Sequence, residues 1–166
     1  MNRLGEVVAK VDAFFARVEA RHGADMQCRT GCADCCRTRL TVTGVEAAAI
    51  RAEVAAWPAE RRRALRDLGD DAGRCRALDE AGRCRIYAAR PLVCRSHGAP
   101  IKIHQGGLPV IQSCFRNFTA TAPDADCVLD QTTLSAMTLA VDRAAGGDGS
   151  RVDLAELISE LVGGDC

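Results

Sequence analysis

The sequence predicts a mainly α fold with short β-hairpins, a small single domain organised around a cysteine-rich centre. Three observations carry that prediction. Hydrophobic residues make up 48% of the 166-residue chain and are mostly Ala, Val, Leu and Ile, a composition that favours helices with an aliphatic core. Apolar residues recur at three- and four-residue steps through several stretches, the helical period. Eight of the ten cysteines fall between residues 28 and 114; thiols this dense are cross-linked, bound to a metal or left as reactive groups. A chain of this length buries enough surface to fold without staples.

The elements follow in order. Leu4, Val7, Val8, Val11, Phe14, Phe15 and Val18 form one stripe, with Glu6, Lys10, Asp12, Arg17 and Glu19 opposite, which predicts an amphipathic helix of about five turns packed on the chain's own core. Gly23 ends it, and the first cysteines follow in a loop. Leu40–Val42 reads as a short extended run. Thr43 and Glu46 have the spacing of a capping box and open an Ala-rich helix reaching about Ala56. Pro58 starts a charged helix through Leu68, closed by Gly69; its arginines read as a solvated face. Cys75–Leu78 and Arg83–Ile86 flank a turn at Asp79–Gly82, predicting a hairpin that carries Cys75 and Cys84 on neighbouring strands. Pro91 starts a short helix presenting Cys94. A second hairpin is expected over Ile101–Ile111 around Gly106-Gly107. Asp130–Val162 reads as two helices separated by Gly146–Gly149, with Leu134, Met137 and Val141 inward in the first and Leu154, Leu157, Ile158 and Leu161 inward in the second. Without a repeat or a domain-sized linker, residues 1–166 read as one domain with a metal-binding core over about residues 28–114.

Charge narrows the partners. The 22 basic and 22 acidic residues cancel, so the broad positive field that nucleic acid or an anionic membrane requires is missing; neither partner is expected. Charges interrupt the first ten residues too often for a signal-peptide core, and no stretch approaches the ~18 apolar residues of a membrane span. A cytoplasmic protein is the expectation, and in that reducing compartment cysteine-dense patterns bind metal or do redox work more often than they form disulfides.

Cys28, Cys32 and Cys35 lie within one loop and can converge on a metal ion, the expected partner, without long-range folding. Side chains of adjacent residues generally diverge, so Cys36 is expected to serve a different metal from Cys35 or to pack beside the site. Cys75, Cys84, Cys94 and Cys114 complete eight candidate metal ligands, enough for two four-sulfur sites or one closed and one mixed site. Three cysteines in a tight run are a way of holding an iron–sulfur cluster, and only Cys32 and Cys35 have the two-residue spacing of a zinc knuckle; iron or an iron–sulfur cluster is favoured slightly, with zinc the alternative. The first three cysteines have the spacing of radical S-adenosylmethionine enzymes, but Asp34 stands where those enzymes carry an aromatic residue.

The order Cys28-x3-Cys32-x2-Cys35-Cys36, then Cys75, then Gly82-Arg-Cys84-Arg-Ile-Tyr87-x2-Arg90-Pro91-x2-Cys94-Arg95, resembles the YkgJ cysteine-cluster family of zinc- or iron-chelating domains over roughly residues 28–114. The resemblance implies metal chelation by about eight cysteines and supplies no substrate. Some flagellin lysine methylases resemble the same cluster and are thought to carry iron–sulfur centres, which tilts the metal toward iron. Cys127 and Cys166 fall outside the pattern; Cys127 reads as buried or incidental and Cys166 as a frayed terminal thiol.

Four thiolates around a divalent ion leave a negative site, so Arg90 and Arg95, which flank Cys94, are expected to support it at the bound cofactor, with Arg85 evenly balanced between that role and surface charge. Tyr87 is expected to pack beside the site. His97 is a candidate mixed-site ligand or proton shuttle, ahead of His104 and His22, although a hydrogen-bonded structural histidine is the commoner outcome. No nucleophile elbow, phosphate loop or dinucleotide fingerprint is present. Two functions remain: a metal-binding protein without catalysis, in which vicinal Cys35 and Cys36 leave room for thiol redox work, and an iron- or iron–sulfur-dependent enzyme or subunit modifying a protein or peptide partner.

Overall fold

The structure, a computed structural model, describes residues 3–66 and 74–163. About 52% of it is helical, with small sheets of short strands. In chain order the elements are α1 (Arg3–His22), β1 (Thr41–Thr43), α2 (Gly44–Ala55), α3 (Ala59–Arg66), α4 (Leu92–Ser96), β2 (Ile101–Gln105), β3 (Leu108–Gln112), β4 (Leu129–Asp130), α5 (Gln131–Ala144), β5 (Arg151–Asp153) and α6 (Leu154–Gly163), with four 3-10 turns between them. Leu68, Gly69 and Cys166 lie outside the described residues.

The chain divides into two compact units interleaved in sequence, Met1–Arg29 with Leu92–Val141 and Thr30–Pro91 with Asp142–Cys166. In the first, Val7, Val11, Phe14 and Val18 are the buried positions of α1, the stripe expected from the sequence. Val7 and Val11 pack with Leu92 and Leu134; Phe14 and Val18 pack with Ala99 and Cys127. β2 pairs antiparallel with β3 and parallel with β4. Gly106 and Gly107 join β2 to β3 with φ of 60° and 83°, the left-handed conformation that a two-residue hairpin turn requires. Asp130 closes β4 and caps α5, its Oδ1 accepting the Thr133 N–H at 2.9 Å.

In the second unit Val42, Ile50, Val54, Trp57, Leu65, Leu154, Leu157 and Ile158 are buried. The capping box forms: Glu46 Oε2 accepts the backbone N–H of Thr43 at 3.0 Å and its hydroxyl at 2.9 Å. α3 follows Pro58, whose carbonyl accepts the Arg62 N–H, and Arg61 lies 3.7 Å over the Trp57 ring. Buried Asp142 joins three segments. Its Oδ1 accepts the Val45 N–H at 2.8 Å, near the start of α2, and its Oδ2 accepts the Gly149 N–H at 3.1 Å.

Two local expectations change. The sequence reading has no strand at Arg151–Asp153, yet β5 pairs antiparallel with β1. The first hairpin forms its turn but no ladder beyond a single bridge between Leu78 and Cys84. There the Asp79 carboxylate accepts the Arg83 N–H at 2.8 Å, so a side chain takes a donor that a longer ladder would use.

Candidate metal centre

The two units share out the eight expected ligands. Cys28, Cys94 and Cys114 lie in the first, with Arg95; Cys32, Cys35, Cys36, Cys75 and Cys84 lie in the second, with Arg90. All eight are partly buried, and no disulfide joins the described cysteines.

In the second unit the backbone assembles the thiols. Cys35 and Cys36 sit on the 3-10 turn Asp34–Arg37. The Cys75 N–H donates to the Cys36 carbonyl at 2.7 Å, and Leu78 N–H donates back to the Cys75 carbonyl at 3.0 Å; the Leu78 bridge then holds Cys84 opposite. Cys36, Cys75 and Cys84 are thus linked through consecutive main-chain contacts. Their charges act on one another. The Cys35 and Cys36 side chains meet where the sequence reading has them diverge, because the 3-10 turn brings their sulfurs together: the Cys36 thiol donates to the Cys35 sulfur, which holds Cys35 down at about 7, helped by Arg90. The same bond pushes Cys36 up, and burial, Cys35, Cys75 and Cys84 push it further. Burial raises Cys75 and lifts Cys84 to about 11. Within this group the proton on Cys35 is the first to leave. Cation binding by all four must therefore expel the remaining protons.

Arg90 lies 3.7 Å over the Tyr87 ring and favours the thiolate forms of both Cys35 and Cys84. Tyr87 itself is 61% exposed, so it offers Arg90 a ring face and is not packed into the centre. Arg85 faces Asp79, Nε to Oδ2, at 3.6 Å. Gly31, Ala33, Asp34, Arg37, Arg74 and Glu80 help line a shallow polar groove of about 290 Å³ beside the Cys32–Cys35 loop.

In the first unit the organiser is Asn117, which is 3% exposed. Its Oδ1 accepts the Gln27 N–H at 2.8 Å, and its Nδ2 donates to the Gly98 carbonyl at 2.8 Å and to Cys28 Sγ at 3.3 Å. Its own N–H donates to the Cys114 carbonyl at 2.8 Å. One residue, through its side-chain amide and its backbone N–H, therefore fixes the segments bearing Cys28 and Cys114 and the turn that follows Cys94 on α4. Gly98 has φ +97°, and a Cβ there would strike Cys28 Sγ; the sulfur occupies space that only glycine leaves. Sequence reasoning passed over both residues, although Asn117 follows Cys114 by three and Gly98 follows His97. Arg95 donates to both carboxylate oxygens of Asp12, at 3.1 and 2.9 Å. His97 is half-buried, which holds its ring below the ordinary histidine range, and His104 is exposed on β2 opposite Pro109.

Among the described residues, the one group of three ligating atoms mutually within 4.8 Å is His22, Asp124 and Cys127. The eight expected sulfurs form no such triple, so a metal would have to draw them together. Their chemistry suits that convergence, with soft sulfur donors, mutual electrostatic reach and an arginine beside them.

A family model with the motif CxxCxxCC, described as "Putative zinc- or iron-chelating domain", matches residues 27–127. Within that span Cys32-x2-Cys35-Cys36 follows the motif, while three residues, not two, separate Cys28 from Cys32. No curated protein and no solved structure matches the chain.

Proposed function

Because the chain belongs to the zinc- or iron-chelating CxxCxxCC family, we propose that it holds iron, with zinc the alternative, through two sets of thiolates. Cys35, Cys36, Cys75 and Cys84 make a four-sulfur site with Cys32 beside it. Cys28, Cys94 and Cys114 make the second set. The observation that carries the reading is the main-chain link between the two segments, Cys75 N–H to the Cys36 carbonyl at 2.7 Å and the Leu78–Cys84 bridge, which brings Cys36 under the charge of Cys35, Cys75 and Cys84. Iron is favoured over zinc because three cysteines in a tight run suit an iron centre, mononuclear or iron–sulfur, and zinc knuckles come in pairs. Bound iron supplies Lewis-acid or one-electron chemistry. Arg90 balances the negative charge that the thiolates build up, and Arg95 stabilises α4, which presents Cys94, through Asp12.

Anaerobic purification without chelators, followed by metal and sulfide analysis and an absorption spectrum, tests the proposal. At least one tightly bound iron or zinc per chain is expected, reduced by Cys84→Ser in the second unit and by Cys94→Ser in the first. A preparation with every thiol titratable and no metal above background refutes it. A second reading, an iron-dependent enzyme or subunit acting on a protein or peptide, draws on the groove beside the Cys32–Cys35 loop. It predicts that Arg37→Met and Arg74→Met leave metal content unchanged but abolish binding of the target peptide.

A further inference from the structure

The end of α1 and the 3-10 turn Ala125–Cys127 bring three different ligating atoms together in the first unit. His22 is the last residue of α1. Its Nε2 lies 3.3 Å from Asp124 Oδ2 and accepts the Asp124 backbone N–H at 3.3 Å with the lone pair that a bound cation would take over. The Cys127 N–H donates to the Asp124 carbonyl at 2.9 Å, closing the turn. One nitrogen, one carboxylate oxygen and one sulfur lie within 4.8 Å of one another. Metal–ligand bonds of about 2.0–2.3 Å at tetrahedral angles put ligand atoms roughly 3.3–3.8 Å apart, a gap that small side-chain rotations close. A buried cysteine is ordinarily a small hydrophobe, and Cys127 packs with Phe14, Val18 and Ala99. Packing alone needs neither an imidazole nor a carboxylate at the sulfur.

Two further features point to a cation. Asp25 Oδ2 lies 3.6 Å from His22 Nδ1, on the side of the ring away from Asp124, the place of the carboxylate that orients a metal-bound histidine. The local charge is also negative: Asp25, Asp124 and Asp126 outnumber Arg17 and Arg21. Arg21 is drawn to Asp126 at 2.7 Å and lies 3.6 Å from Asp124, while Arg17 donates to the Asp126 carbonyl. Exposure is graded, from fully buried Cys127 to the His22 side chain at 12% and that of Asp124 at 57%. The site is therefore closed below and open on the carboxylate side, where water can take a fourth position.

We propose that His22, Asp124 and Cys127 bind one divalent transition-metal ion, zinc by their mixed nitrogen, oxygen and sulfur donors, at a site that uses none of the eight cysteines of the chelating centre. The reading stands whether or not that centre holds iron. The test counts zinc on full-length protein, purified with its cysteine centre as found, then equilibrated with zinc and challenged with a chromophoric chelator. Wild type, His22→Gln, Asp124→Asn and the distant control Arg62→Met are compared. His22→Gln and Asp124→Asn should each bind one equivalent fewer than wild type and the control, with metal-free circular dichroism unchanged. Asp124 is exposed, so its replacement spares the core that Cys127→Ser would disturb. Retention of the full zinc complement by either variant, with unaltered resistance to the chelator, overturns the proposal.

Discussion

Replacing Gly98 by alanine separates the strain of a backbone turn from the seat of a candidate ligand. At φ +97° an L side chain is strained, at a cost of about 1–3 kcal/mol. The new methyl would also lie under 3.0 Å from Cys28 Sγ, where unstrained contact begins at 3.4 Å. The sulfur must therefore retreat by at least about 0.4 Å, twice the ~0.2 Å latitude of a metal–ligand distance. Crowding of this kind costs a further ~1–3 kcal/mol. Gly107→Ala is the control, because it has a similar φ of +83° with nothing within 4 Å and so bears the strain alone. In a Cys28→Ala background the sulfur is gone and residue 28 keeps only its Cβ at 3.8 Å, an ordinary contact, while Asn117 Nδ2 stays at 3.3 Å and must still give by a few tenths of an ångström. Most of the crowding cost should then disappear, leaving a coupling of about 1–3 kcal/mol between the two positions. The assay is thermal unfolding of metal-free protein for all four variants, in which 1 kcal/mol moves the midpoint by ~2–4 °C, followed by metal content. If Gly98→Ala costs no more than Gly107→Ala, or the cost persists in the Cys28→Ala background, Cys28 does not depend on Gly98 for its seat.

Asn117→Ala removes the partner of the Gln27 N–H and the Gly98 carbonyl and should destabilise the protein by about 2–4 kcal/mol, read by chemical denaturation; a loss under about 1 kcal/mol would show that neither group depends on it. In metal-free protein at pH 7, Cys35 should be alkylated faster than Cys75 or Cys84, since its thiolate is the favoured one, and Cys36→Ala should slow it by removing the donor that holds it down; mass mapping of an iodoacetamide time course decides, and equal rates count against the assignment. The folded protein holds Asp130 down at about 2 beside Lys102 and the Thr133 N–H, below its unfolded value of about 3.9. Its contribution is therefore present above pH ~4 and lost as pH falls toward 2. Asp130→Asn should flatten that part of the stability profile, and an unchanged acid profile would contradict the cap at α5.

Much of the fold was legible where one element carries its own signal. The stripe of Val7, Val11, Phe14 and Val18 sets the face of α1, Thr43 and Glu46 announce α2, and Gly106-Gly107 marks the hairpin. β5 was not, because Arg-Val-Asp has a single apolar residue and becomes a strand only by pairing with β1 far away in sequence. The hairpin at Cys75–Ile86 was read too regularly, since alternation cannot reveal that the Asp79 carboxylate takes the Arg83 donor. At the candidate site, cysteine spacing exposes the donor types. Their division between two units, and the organising parts played by Asn117 and Gly98, depend on which distant segments meet. The triad of His22, Asp124 and Cys127 was hidden for the same reason, as its members are spread over α1 and a turn roughly 100 residues later.

The pairing of β1 with β5 also sets a timetable. Thr41 meets Asp153, so roughly 110 residues must be polymerised between the two halves of that ladder, several seconds or more at ~5–20 residues per second on a ribosome. Cys35, Cys36, Cys75 and Cys84 emerge well before Arg151, while β1 has no partner strand and α2 lacks α6. The nascent chain therefore carries these four thiols through translation before their enclosing unit can close, within reach of oxidants and of whichever metal arrives first.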